Sequence, residues 1–104
     1  MFYLDQLIAF MEKTFDVAIE LNEVGGEIIS LYHEEIDEKI ISKNTLQILT
    51  NPVLFQTYVY NEKSEWIIGV VLHATTNDPL FLVCLKNGEK VYEKLLNTEK
   101  YNNE

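Results

Sequence analysis

The stretch Val53-Leu-Phe-Gln-Thr-Tyr-Val-Tyr60, followed after the polar turn Asn61 to Glu65 by Trp66-Ile-Ile-Gly-Val-Val-Leu72, decides the fold. Both runs are dense in β-branched and aromatic residues, which suit a pleated, half-buried surface, and the polar segment between them fits a hairpin turn. Downstream, Asn77-Asp78-Pro79 marks a turn before a third strand, Leu80 to Leu85. Asn87-Gly88 then gives the strongest hairpin signal in the chain, before Val91 to Leu95, because both residues tolerate the positive φ that a tight turn demands.

Upstream of Val53 the period changes. From Leu4, the apolar residues Leu7, Ile8, Met11 and Phe15 follow helical spacing, with Asp5, Gln6, Glu12 and Lys13 mainly on the other side. Val17 and Ile19 alternate with Ala18 and Glu20 as a short strand would, running toward Gly25-Gly26, where the backbone can turn freely. Leu31, Ile36 and Ile40 define the apolar side of a second helix, whose first turns carry Glu34, Glu35, Asp37 and Glu38, acids that favour the positive end of a helix dipole. Leu46, Ile48 and Leu49 continue as a short helix until Asn51-Pro52 stops it. The expectation is one α+β domain over residues 1–96, an antiparallel β-meander with two or more helices on one side, and a polar tail over 97–104.

The 104 residues carry eight Lys, no Arg and seventeen Asp plus Glu, a formal charge of -9, while 47% are hydrophobic. That is too much core-forming material for an acidic disordered tail. A nucleic-acid binder presents clustered Lys or Arg to phosphate, so direct binding to DNA, RNA or anionic lipid is not expected. Cys84 stands alone, with neither the disulfide, the zinc nor the redox spacing. No basic leader precedes the first apolar stretch and no uncharged apolar window reaches membrane-spanning length, so no signal peptide or membrane span is read and a reducing bacterial cytoplasm is expected.

Catalytic arrangements fare poorly. Ser30, His33 and Asp37 share a helical spacing, but side chains fixed on one helix rarely meet with triad geometry. Carboxylates on Glu34, Glu35 and Glu38 suit calcium or magnesium, yet no EF-hand spacing is present. His73 and Cys84 fall in strands, as an imidazole and a buried thiol. No enzyme, cofactor or metal is expected.

The charge distribution carries more. Residues 1–52 hold ten acids and three Lys, whereas residues 53–104 hold seven acids and five Lys. From Asp16 to Glu38 there are eight acids and no Lys, so mutual repulsion goes unrelieved. On a helix, residues three or four apart lie about 5–6 Å from each other, which would set Glu35 with Glu38, and Glu34 with Asp37 and Glu38, in anionic rows. Rows on that scale can occupy a phosphate-binding groove, as a mimic of DNA.

The order of elements and several residues resemble the uracil-DNA glycosylase inhibitors, small acidic proteins of bacteriophage with diverged staphylococcal relatives. The likeness covers most of the chain and centres on Gly26-Glu-Ile-Ile-Ser-Leu-Tyr-His-Glu-Glu-Ile-Asp-Glu-Lys-Ile40, which is similar to the family's strand-exit glutamate and acid-rich second helix. The resemblance implies that Glu27 approaches the enzyme's catalytic DNA-binding loop, with Glu20 and Glu23 as rivals for that place, and that Glu35 and Glu38 meet other phosphate-contacting loops. It implies that Leu31, Ile36 and Ile40 form part of an apolar pocket for the enzyme's leucine wedge, to which Phe55 and Val70 of the sheet are added as candidates. The chain departs from the family in extra residues between Ser42 and Pro52, in its tail, and in a Gly25-Gly26 pair where the family has strand.

The expected function is therefore a non-enzymatic, DNA-mimicking inhibitor that binds uracil-DNA glycosylase one to one. Alternatives are an inhibitor of another nucleic-acid enzyme, such as a nuclease, restriction or CRISPR effector protein, and an immunity protein against a basic toxin. All three partners are basic proteins, steered by the same field.

Overall fold

The computed structural model describes residues 3–20 and 23–96. Along them run α1 (Leu4–Phe15), β1 (Val24–Leu31), one 3-10 turn (His33–Glu35), α2 (Lys43–Leu46), β2 (Val53–Asn61), β3 (Glu65–Leu72), β4 (Pro79–Lys86) and β5 (Glu89–Leu95). The five strands form one antiparallel sheet in chain order, each bonded to its sequence neighbour. This is a single α+β domain, as the hairpin-rich C-terminal half leads one to expect.

Strand alternation gives the sheet two apolar faces. On one, Tyr60, Trp66, Ile68, Val70, Leu72, Leu82 and Cys84 are buried beneath Leu7 and Met11 of α1. On the other, Val53, Phe55, Val71, Phe81 and Val83 are covered by Ile36, Ile41, Leu46 and Leu49 from the segment between β1 and β2. Near-continuous apolar runs in β3 and β4 follow from this two-sided burial, since both faces of the central strands are largely covered. The helices thus flank both faces, not one, because the central strands present apolar side chains in both directions.

α1 ends where Asp16 adopts the left-handed conformation at φ 56, with its N–H bonded to Glu12 O at 3.0 Å and the Val17 N–H to Met11 O at 3.2 Å. The hairpin at Asn87-Gly88 forms as its sequence requires, with φ 51 and φ 84 at the two residues. Asn87 also ties the neighbouring turn: its Oδ1 accepts from the Glu65 N–H at 2.9 Å, and its own N–H donates to Glu65 O at 2.8 Å.

Three expectations upstream of β2 are corrected. Val17 to Glu20 form no strand; they cross irregularly from α1, with Ile19 buried against the α1-side core. Gly25-Gly26 is not a turn but part of β1, where Gly25 faces Val59 and Gly26 faces Tyr58. A Cβ on Gly26 would stand 3.1 Å from the Tyr58 ring, so glycine here lets the ring lie across the strand. The second helix over Leu31 to Ile40 is absent: the chain stays extended through Leu31, makes the 3-10 turn, and folds back in tight turns. Ile28 and Ile29 take β pairing with Gln56 and Phe55, and the ladder overrides the helical spacing. The tail expected over 97–104 lies outside the described residues.

Candidate functional site

The removal of the second helix leaves an apolar groove instead. Its floor is the sheet face bearing Phe55, Thr57, Ile67, Gly69, Val83 and Leu85. One wall is β1, through Ile29 and Leu31, and the other is the returning segment, through Ile36 and Ile40, with Glu35 and Asp37 at the rim. The cavity measures about 290 Å³. Ile29, at 36% exposure, remains open to solvent beside it.

Short-range polar contacts hold the returning segment in place. The His33 N–H donates to Asn51 Oδ1 at 3.0 Å, and His33 Nε2 lies 2.7 Å from Thr50 O, an acceptor that fixes the imidazole with its proton on Nε2. Asp37 caps its own turn, its Oδ1 accepting from the Lys39 N–H at 2.9 Å, while Ile40 and Ile41 N–H groups donate to Asp37 O. Lys90 of β5 reaches Ile40 O at 3.4 Å and pairs with Glu93 at 2.9 Å. The wall is therefore pinned from both ends without being a helix.

The seven acids singled out from the sequence are all exposed, but they fall into separate places. Glu35 and Asp37 stand at the groove's rim, and Glu27, paired with Thr57 across β1 and β2, points to the same sheet face by strand alternation. Glu34 sits in the 3-10 turn outside the groove lining, and Glu38 pairs with Lys43 at 2.9 Å. That contact raises the Lys43 pKa, through the hydrogen bond first and the charge second. Glu20 and Glu23 lie at the other end of β2. There they help the Tyr60 hydroxyl, which donates to Glu62 at 2.6 Å, to hold its proton: the Glu62 bond, burial and these negative charges push it up to about 12. The helical rows that would have set Glu35 beside Glu38 do not form, since no helix spans them.

Of the five apolar candidates, Leu31, Ile36, Ile40 and Phe55 line the groove. Val70 does not. It is fully buried on the opposite face under α1, because it pairs with Gln56, one residue out of step with Phe55, and a one-residue step changes face. Sequence reasoning missed Ile29, Ile67, Gly69, Val83 and Leu85. The signal that finds them is the period-two alternation read outward from Phe55 through the register of three neighbouring strands.

A second cavity, about 410 Å³, opens on the α1 side between Asp16, Glu20, Glu62, Lys63, Trp66 and Lys86. It contains both charge signs, and Lys86 covers the Trp66 ring at 5.5 Å. Ser30, His33 and Asp37 do not converge: His33 is committed to Thr50 and Asp37 to Lys39, while Ser30 faces Leu54 across the ladder. Among the described residues no group of three His, Cys, Asp or Glu side chains is placed to hold a metal ion, and no helix is long and apolar enough to cross a membrane. Comparison of the chain with protein-family models, curated proteins and solved structures gives no match.

Proposed function

We propose that this protein is an inhibitor that docks in the DNA-binding groove of uracil-DNA glycosylase, inserting no group of its own but receiving an apolar side chain of the enzyme. The observation that carries this reading is the apolar groove with carboxylates at its mouth: Leu31, Ile36, Ile40 and Phe55 inside, Glu35 and Asp37 on the rim, Glu27 on the same sheet face. An enzyme that extrudes a base from a duplex carries a basic groove for the phosphates and an apolar wedge for the stack. One surface of this chain offers a complement to both. The order of the strands in the resemblance supports the same target, with Gly25-Gly26 inside a strand, while the acid-rich second helix on which the resemblance centred is absent from this chain.

The two devices contribute differently. Exposed carboxylates speed encounter and lose much of their effect as salt shortens the screening length to about 8–10 Å. Burying one aliphatic side chain contributes about 2 kcal/mol and persists in salt. Calorimetric titration of a family-1 uracil-DNA glycosylase with the protein tests this division. Glu27→Gln, Glu35→Gln and Asp37→Asn should each weaken binding at low salt and flatten its salt dependence. Ile29→Asp, at an exposed position, should weaken it at every salt concentration. Unchanged affinity in all four variants would remove the groove as the docking surface. Stoichiometric capture of a different nucleic-acid enzyme from a bacterial lysate, with none of the glycosylase, would move the same surface to another target.

A further inference from the structure

β1 is held in the sheet by one edge alone. Its residues are exposed but for the half-buried Val24 and Leu31 at the two ends, and among the described residues no strand pairs with its outer edge. An open edge of this kind is a template for another strand, and proteins usually blunt it with charge, proline or a bulge. β5, the opposite edge, has alternating Glu and Lys and a bulge. β1 has neither: its ladder to β2 is regular throughout, and Glu27 is its one charge. Two large apolar side chains stand out from it, Ile28 at 45% exposure on the α1 side and Ile29 on the groove side.

We propose that the outer edge of β1 pairs with β1 of a second copy of this chain, antiparallel about a two-fold axis, joining the two sheets into one. A two-fold contact sets the same surface against itself, so the strand must suit its own copy. Backbone groups along a strand point alternately to either side, so outward groups meet outward groups only where the axis passes through a residue rather than between two. Two such registers pair all but one of the eight residues. Centring on Glu27 puts two carboxylates face to face, which is destabilising. Centring on Ile28 puts Ile28 against its own copy, Glu27 beside Ile29, and Leu31 and Ser30 opposite Gly25 and Gly26, with open space over Gly25 to receive the leucine. A contact from β1 to β5 of the next copy would instead meet the charged, bulged edge. Each copy carries a charge of -9, so the copies repel and their pairing strengthens as salt screens them, opposite in sign to docking on a basic enzyme. A lone strand pair offers less than the about 1,200 Å² of a stable interface, and the dimer is therefore reversible.

Sedimentation equilibrium of the full chain tests the pairing. Apparent mass should climb from one chain toward two between about 10 µM and about 1 mM, and should do so at lower concentration in about 0.15 M than in about 0.01 M sodium chloride. Ile28→Lys, at an exposed position, sets two ammonium groups face to face and should hold the chain monomeric. Ile28→Cys reads the register: opposed Cα atoms lie about 4.5–5.5 Å apart, within disulfide reach, so this variant should cross-link under mild oxidation. Ser30→Cys, displaced from its own copy by about 13 Å along the strand, should not. Cys84 is fully buried and takes no part. A monomer at every concentration, or equal cross-linking of the two cysteine variants, overturns the proposal. So does a monomer whose β1 amides gain protection from hydrogen exchange only when glycosylase is added, which would give the edge to that enzyme. A dimer in this register with uracil excision untouched upholds the self-pairing, which stands apart from the glycosylase reading, and removes that reading alone.

Discussion

Cys84 pairs with Ile68 and Tyr92 in the sheet and is fully buried under α1, and this burial pushes its thiol up to about 12. Only the thiolate is an efficient nucleophile, so the native protein should resist labelling by a thiol reagent near pH 8 and react stoichiometrically once denatured. Rapid labelling of the native chain would contradict the packing of β4. The same burial has a consequence for stability. Cys84, ordinarily near 9.0, and Tyr60, ordinarily near 10.0, both hold their protons more tightly when folded. Their contributions are complete below those ordinary values and are lost as pH rises through about 12, because the unfolded chain releases the protons first. Urea midpoints should therefore stay level up to about pH 9 and fall above it. Tyr60→Phe should make the fall above pH 10 shallower, and an unchanged slope would remove the phenol from the account.

At the scale of elements, the turns and the strands do separate work. The β4–β5 hairpin depends on two residues at positive φ, and Gly88→Ala, at φ 84, should cost about 1–2 kcal/mol by urea denaturation. Asn87→Ala removes the acceptor for the Glu65 N–H as well as the left-handed preference, at about 1–2 kcal/mol. A loss below a few tenths in both variants would mean that neighbouring strands alone fix the turn. This hairpin was legible because Asn-Gly has few other uses, and β2 to β4 were legible because alternating and continuous apolar runs encode burial directly. α1 was equally plain from its 3.6-residue spacing. β1 was not, because Gly25, Gly26 and Ser30 have poor strand propensity, and Ile28 and Ile29 acquire their conformation from the ladder with β2. Nor was the returning segment, where Leu31, Ile36 and Ile40 match a helical face by spacing yet converge as strand end, buried turn and groove wall. Leu31, Ile36, Ile40 and Phe55 nonetheless line one groove, because the returning segment folds back over the sheet face that bears Phe55. Val70 lies on the other face, because period-two alternation places it one step away from Phe55.

The whole molecule carries a charge of -9, with eight acids and no Lys from Asp16 to Glu38, of which Glu38 is paired with Lys43, and its two exposed edges differ. β5 is blunted by alternating Glu and Lys and by a bulge beside Leu85, as edge strands that avoid self-pairing are. β1 bears only Glu27 and keeps an unbroken register with β2. Mutual repulsion in the acidic half costs stability that salt restores. Raising sodium chloride from about 0.01 M to about 0.15 M, which shortens the screening length from about 30 Å to about 8 Å, should raise the urea midpoint. A lower midpoint in salt would mean that ion pairs such as Glu38 with Lys43 outweigh the repulsion.

On the proposal that this acidic, grooved surface stands in for DNA against uracil-DNA glycosylase, the protein should block uracil excision, and an excision assay reads that block without an intermediary. The purified protein is added to a family-1 glycosylase before uracil-containing DNA and titrated to stoichiometry. Complete loss of excision is expected near one equivalent, with Ile29→Asp requiring a large excess. Undiminished excision by glycosylases from several bacteria, at protein in large excess, would contradict it.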